Sequence, residues 1–129
     1  MDLFQMVADF HKKFGLEPTK QPDFPVDEIW ILKNAHMQEE LDEIRIAALN
    51  GNLEEYFDGL IDLIYVALGA AYLANLPFEQ GFLRVHLANM TKIRALRQQD
   101  SKRGSTYDIV KPPEFVAPTL ADLIRKEKE

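Results

Sequence analysis

The chain has no cysteine, and that single absence removes disulfides, thiolate zinc sites, iron–sulfur clusters and thiol catalysis together. Long apolar runs are also missing. The longest, Leu63 to Ala74, falls short of the roughly 20 residues that a bilayer-spanning helix needs. No signal-peptide pattern opens the chain, because Met1-Asp2-Leu3-Phe4 leads straight into amphipathic sequence. Positive charge is scarce as well: 15 lysines and arginines stand against 21 acids, for a net charge of −6. A protein that binds nucleic acid through its phosphates carries the opposite balance, so no nucleic-acid partner is expected. With 47% hydrophobic residues in 129, the expectation is one globular domain, cytoplasmic and without a membrane partner.

What the chain does have is helical periodicity. Leu3, Val7, Phe10 and Phe14 recur at helical spacing before Gly15, which predicts a helix over 2–14. Pro18, Pro22 and Pro25 make 15–25 an extended connector. A second helix opens at Asp27 and runs to about residue 50. Asn50-Gly51-Asn52 then reads as a C-cap, a turn and a new N-cap, with Glu55 at the reciprocal capping-box position. The third helix, 53–74, is apolar on nearly all sides (Leu60, Ile61, Leu63, Ile64, Val66, Leu68, Tyr72, Leu73) and so is expected to be buried all round. Four helices of this size cannot enclose one of their own, which predicts a homo-oligomer. A fourth helix is expected from Phe78 to about 98, with Phe82, Val85 and Met90 inward. Residues 99–117 read as loop. Thr119 and Asp122 are placed to cap a short helix over 120–126. No period-2 alternation appears. The class is all-α: an antiparallel bundle of four main helices with a polar tail, 99–129, in a single 1–129 domain.

The informative residues are acids. Glu39, Glu40 and Glu43 fan over roughly 100° of the second helix, with His36 in the same sector. Glu55, Asp58, Asp62 and Tyr65 fall within about 80° on the third. Asp62 stands in Leu60-Ile61-Asp62-Leu63-Ile64, and an ionised carboxylate among large aliphatics costs several kcal/mol unless a cation meets it. Between Lys33 and Arg84 the only lysine or arginine is Arg45. A divalent cation is then the counter-charge, and an all-oxygen set suits Mg²⁺, or Mn²⁺ in the same shell. A dinuclear iron bundle would need Glu-x-x-His, which does not occur. The plainer alternatives are a solvated glutamate face, a water-bonded core aspartate, an ordinary helix histidine at His36 and a packing role for Tyr65.

Mg²⁺ held by carboxylates commonly serves phosphates. No Gly-x-x-x-x-Gly-Lys loop is present, so cations elsewhere must help. Asn89 and Lys92 are read as a pair on one face of the fourth helix, Lys33 lies seven residues before Glu40 on nearly the same face, and Arg94, Arg97, Lys102, Arg103 and Lys111 follow. Trp30 is open to two readings, stacking on a base or packing in a core or interface.

Glu39-Glu40-Leu41-Asp42-Glu43, Asp58-Gly59-Leu60-Ile61-Asp62-Leu63-Ile64-Tyr65-Val66 and His86-Leu87-Ala88-Asn89-Met90-Thr91-Lys92 follow one another in an order that resembles the all-α nucleoside triphosphate pyrophosphatases. That group holds the MazG-like, dimeric dUTPase and phosphoribosyl-ATP pyrophosphatase proteins. Val7 to Gly15 and Val110-Lys111-Pro112-Pro113 resemble its MazG-like branch. The resemblance implies a homodimer or homotetramer and Mg²⁺ held by E-x-x-E on one helix and E-x-x-D on the next. Glu40 and Glu43 match the first pair, with Glu39 as an adjacent extra glutamate, and Asp62 matches the last aspartate. The glutamate of the second pair falls at Gly59, a departure, and Asp58 is the candidate substitute. The expected metal ligands are therefore Glu40, Glu43, Asp58 and Asp62, with Glu39 as general base or further ligand. Asn89, Lys92, Lys33 and Lys111 form the substrate-binding set. The implied reaction takes a nucleoside triphosphate to its monophosphate and pyrophosphate. The alternatives are a phosphoribosyl-ATP pyrophosphatase and a non-enzymatic helical adaptor or antitoxin-like module.

Overall fold

A computed structural model describes residues 1–125. Helix α1 (Leu3–Lys13) starts where the Asp2 carboxylate accepts the Gln5 amide at 2.9 Å, and it ends at Gly15, whose φ of 71° only glycine adopts freely. The connector is then pinned to the end of the third helix: Thr19 N–H donates to the Leu73 carbonyl and Asp23 N–H to that of Ala74. Helix α2 (Asp27–Leu49) follows Pro25 without a side-chain N-cap; the Asp27 carboxylate instead accepts the Trp30 indole N–H at 2.9 Å. The Asn50-Gly51-Asn52 turn forms as its residues predict, with Gly51 at φ 65° and the Asn52 side chain accepting the Glu55 amide at 3.2 Å. It reverses the chain into α3 (Leu53–Leu73), which lies antiparallel along α2 in the most extensive contact between elements.

The chain divides into two compact units. The first spans Met1–Phe78 together with residues 124 and 125, and the second is Glu79–Leu123. In the first unit, Val7 and Ala8 of α1, Ile44 and Ala47 of α2 and Val66, Leu68, Ala71 and Leu73 of α3 form the core. Aromatic edges join α1 to α3: Phe4 to Tyr72 at 6.2 Å and Phe10 to Tyr65 at 5.4 Å between centroids. Tyr65 thus packs. Helix α3 is not buried all round within one chain. Leu53, Phe57, Ile61 and Ile64, all on one side of it, are exposed, Leu53 by 77%. By length and composition α3 is also apolar enough to cross a bilayer, which the count of uninterrupted apolar residues does not convey. Its packing along α2 and its four acids are those of a bundle's central helix.

The second unit departs from expectation. Helix α4 runs Phe78–Asn89 and stops about nine residues short of the expected end. Thr91 caps it by donating its hydroxyl to the Ala88 carbonyl, and the chain then extends into β1 (Ile93–Arg94). This pairs antiparallel with β2 (Ile109–Val110), Ile93 opposite Val110 and Arg94 opposite Ile109. Two-residue strands are too short to show alternation, which is why the stretch read as loop. Phe82 and Met90, expected inward, are exposed, and Val85 is half-buried. The terminal helix is one 3-10 turn, Ala121–Ile124; the expected extension to 126 lies outside the described residues. Asp122 binds Arg84 through both carboxylate oxygens, and the Thr119 carbonyl accepts from the same guanidinium.

Candidate metal and nucleotide site

The seam between α2 and α3 carries the acids. Antiparallel packing sets Ile44 against Gly59, with Cγ1 only 2.7 Å from where a Cβ on residue 59 would stand. One turn back on α2 and one turn on along α3, Glu40 comes close to Asp62. Glu40 is 8% exposed, and among the described residues its Oε2 is a buried oxygen without a hydrogen-bond partner. Burial pushes its carboxyl above the usual range, and the negative charges of Glu43 and Asp62 push it further; His36 opposes them. His36 Nε2 lies 3.3 Å from Glu40 Oε1. No lysine or arginine pairs with Glu39, Glu40, Glu43, Asp58 or Asp62 among the described residues.

The structure therefore brings together Glu40, Glu43 and Asp62. Glu39 and Asp58 are exposed and are not among the charges acting on Glu40. Among the described residues, no three acidic or imidazole side chains stand close enough to form a finished cation cage. The donors still fit a hard divalent ion. They are all carboxylate, among the described residues they lack a basic partner other than His36, and one buried oxygen is unsatisfied. Gly59 is a true departure, because a side chain there meets Ile44 before it meets the acids.

Lys33 faces α1. Its Nζ lies 3.3 Å from Nε2 of His11, whose Nδ1 is 2.7 Å from the Val7 carbonyl. With Nδ1–H donating to that carbonyl, Nε2 is left as the acceptor for the lysine. His11 is buried, and partial burial lowers the Lys33 pKa. Gly69 makes the pair possible, since a Cβ there would come within 2.8 Å of the His11 ring. Sequence reasoning missed His11 as a site neighbour. The available signal was its position one turn after Val7 on the inward face of α1. Lys33 also lines a cleft of about 360 Å³ with Phe24, Trp30 and Asn34, floored by small residues that include Ala67 and Ala71. Trp30 is thus a cleft wall.

In the second unit, Asn89 ends α4, and the Lys92 amide donates to its carbonyl at 3.0 Å. The two residues share a turn and not a helix face. Lys92 and Lys111 both lie over the Phe115 ring, 5.6 and 5.5 Å from its centroid. Three further basic residues have structural partners: Arg97 pairs with Asp100, Arg103 with Asp108, and Arg94 lies over Tyr107.

The model of the phosphoribosyl-ATP pyrophosphohydrolase family matches residues 7–89, well over half of the chain. The chain belongs to that family. Membership implies pyrophosphohydrolase activity on a nucleotide, and it places the chain among the all-α nucleoside triphosphate pyrophosphatases. No curated protein matches the chain. The matched stretch takes in His11, Lys33, the acids of α2 and α3, and Asn89; Lys92 and Lys111 fall beyond it.

Proposed function

We propose that the chain cleaves a nucleotide's triphosphate between the α and β phosphates, releasing pyrophosphate, with Mg²⁺ as cofactor and Mn²⁺ able to replace it. The observation that supports this most is the Glu40–Glu43–Asp62 cluster, acidic, half-dry and without a lysine or arginine partner. Glu40, Glu43 and Asp62 would hold the ion, with Asp58 one turn away as a further ligand. When bound, the ion neutralises phosphate oxygens and lowers the pKa of a water. Glu39, exposed beside the cluster, takes the proton from that water or adds a ligand. Burial and the neighbouring acids disfavour the ionised Glu40 carboxylate, and a cation held there would offset that cost. Lys33, held by His11, presents positive charge to the cleft bounded by Trp30. Asn89, Lys92 and Lys111 are proposed as substrate contacts.

The family match favours phosphoribosyl-ATP as substrate, which carries the same scissile bond. A free nucleoside triphosphate is the second reading. It is favoured by Asp58-Gly59 and by Val110-Lys111-Pro112-Pro113, which resemble the MazG-like branch. The match also favours an enzyme over the adaptor reading. The exposed stripe Leu53, Phe57, Ile61 and Ile64 supports a homodimer or homotetramer, since apolar surface of this extent on one helix is ordinarily covered. The test is a product assay with Mg²⁺ on phosphoribosyl-ATP and on a panel of nucleoside triphosphates. Monophosphate plus pyrophosphate is expected. Diphosphate plus orthophosphate, or no turnover of any nucleotide, would contradict the reading.

A further inference from the structure

The cleft walled by Trp30 is shaped for something flat. Its volume of about 360 Å³ lies at the small end of ligand pockets. Its floor is Ala67, Ala70, Ala71 and Ala74, none of which carries more than a methyl group. The Trp30 wall is held, because the indole N–H donates to the Asp27 carboxylate at 2.9 Å, one turn earlier on α2. Polar groups reach the cleft from Lys33 and Asn34, one turn later on the same helix. The Lys33 ammonium is held too. One of its three protons goes to His11 Nε2, 3.3 Å away. His11 is 1% exposed, and its Nδ1–H is spent on the Val7 carbonyl at 2.7 Å, which leaves Nε2 as an acceptor only. Bare backbone lies beside the lysine, since a Cβ on residue 69 would stand 3.3 Å from Nζ. Two ammonium protons remain for a ligand. Two donors on one atom ask for an acceptor with two lone pairs. A carbonyl oxygen has two, an aromatic ring nitrogen has one, and an exocyclic amino group brings protons of its own. Lys33 lies seven residues before Glu40, roughly 10 Å along α2. A nucleotide whose phosphates meet the acids therefore enters the cleft by the base edge remote from its sugar. That edge carries a carbonyl in uracil, thymine and guanine, and an amino group in cytosine and adenine.

We propose that this cleft selects a base with a carbonyl on that edge, that Lys33 reads the carbonyl, and that His11 and Asp27 are the positioning residues that aim Lys33 and Trp30. The orientation of the base rests on the pyrophosphohydrolase reading; the flat-ring site itself does not. The selection favours the second substrate reading, since phosphoribosyl-ATP carries an adenine. Trp30 is the one tryptophan in the chain, so its emission reports on the cleft alone. The experiment titrates uridine, guanosine, cytidine and adenosine into the full chain in EDTA, with excitation at the red edge of the indole band. Nucleosides carry no phosphate and need no metal. Uridine and guanosine are expected to quench Trp30 and to bind about tenfold more tightly than cytidine and adenosine. Lys33→Met, which keeps the apolar stem, should bring that ratio close to one. His11→Leu should lower it by about threefold, because the ammonium is no longer aimed. Asp27→Ala should weaken all four nucleosides alike by about threefold and lower the Trp30 anisotropy, with recovery of both in Asp27→Asn, which keeps an acceptor oxygen. Absence of quenching in the wild type, or cytidine and adenosine binding as tightly as uridine and guanosine, would overturn the selection. An unchanged ratio in Lys33→Met would remove Lys33 as its reader. An unchanged ratio in His11→Leu, with helicity retained, would remove His11, and wild-type anisotropy in Asp27→Ala would remove Asp27. Site and enzyme reading fail separately. A wild type that tells these nucleosides apart but releases no pyrophosphate keeps the site, and one that releases pyrophosphate while Trp30 ignores every nucleoside keeps the enzyme.

Discussion

Aspartates and glutamates lead opposite lives in the two units. In the second unit Asp100, Asp108 and Asp122 each meet an arginine, and the first two are held below the usual carboxylate range by that partner. In the first unit Glu40 is crowded by Glu43 and Asp62, none of the three pairs with an arginine among the described residues, and Glu40 is pushed above that range. The same side-chain chemistry is satisfied in one place and frustrated in the other. Satisfied acids tie a short hairpin together. Frustrated ones raise the energy of the unliganded protein, which is the condition under which a bound cation would be favoured, and perturbed carboxyls of this kind gather at functional sites.

The largest expected effect falls on the frustrated side. Asp62→Ala should reduce pyrophosphate release by about a hundredfold or more, the scale of losing a ligand to a catalytic ion, while circular dichroism stays helical. Wild-type turnover in that variant would remove Asp62 from the site. Next comes the seam itself. Gly59→Ala forces a methyl group onto Ile44 and should cost about 1–3 kcal/mol in chemical denaturation, with part of the loss returned by adding Ile44→Val. No loss in Gly59→Ala would mean that α2 and α3 are not locked in this register.

A pH prediction sharpens the contrast. The folded pKa of Glu40 is raised, so the native state binds more protons than the unfolded chain above the ordinary glutamate value of 4.5. Unliganded stability should therefore fall as pH rises from 4.5 through the raised pKa, and it should level off above that. Asp108 has the opposite sign. Its pKa is lowered, chiefly by Arg103, so its contribution is present above the ordinary aspartate value of 3.8 and is lost as pH falls through the folded pKa. Melting curves of wild type against Glu40→Gln and against Asp108→Asn should diverge in these opposite directions. A flat difference for Glu40→Gln would show that its carboxyl is neither dry nor crowded. The smallest effect is expected for Arg97→Gln, which breaks an exposed ion pair and should leave turnover unchanged and melting nearly so.

Much of the first unit was legible because its signals are local or periodic. Gly15, Asn50-Gly51-Asn52 and the prolines punctuate three helices within a residue or two of where they end. The acids of α2 and α3 were legible because spacing alone sets them on one sector, and a turn this short makes the helices antiparallel. What the spacing did not carry was side-chain choice between neighbours. Glu39 and Glu40 are adjacent, yet only Glu40 is buried; Asp58 and Asp62 are one turn apart, yet only Asp62 acts on Glu40. His11 escaped because its partner, Lys33, is 22 residues away in sequence and meets it only over a glycine on a third helix. The hairpin of the second unit escaped because ladder pairing between residues 93 and 110 leaves no trace in local pattern.

The account depends on a cation being drawn to the acids between α2 and α3. Calorimetric titration of Mg²⁺ into EDTA-treated, dialysed protein tests it most directly, with Glu40→Gln and Asp62→Asn alongside. The wild type should bind, and millimolar Mg²⁺ should raise its melting temperature by several degrees, as about 2.7 kcal/mol of linkage at a hundredfold excess over Kd requires. Both variants should bind much more weakly. Wild type and variants binding Mg²⁺ alike, or none binding at all, would contradict the account.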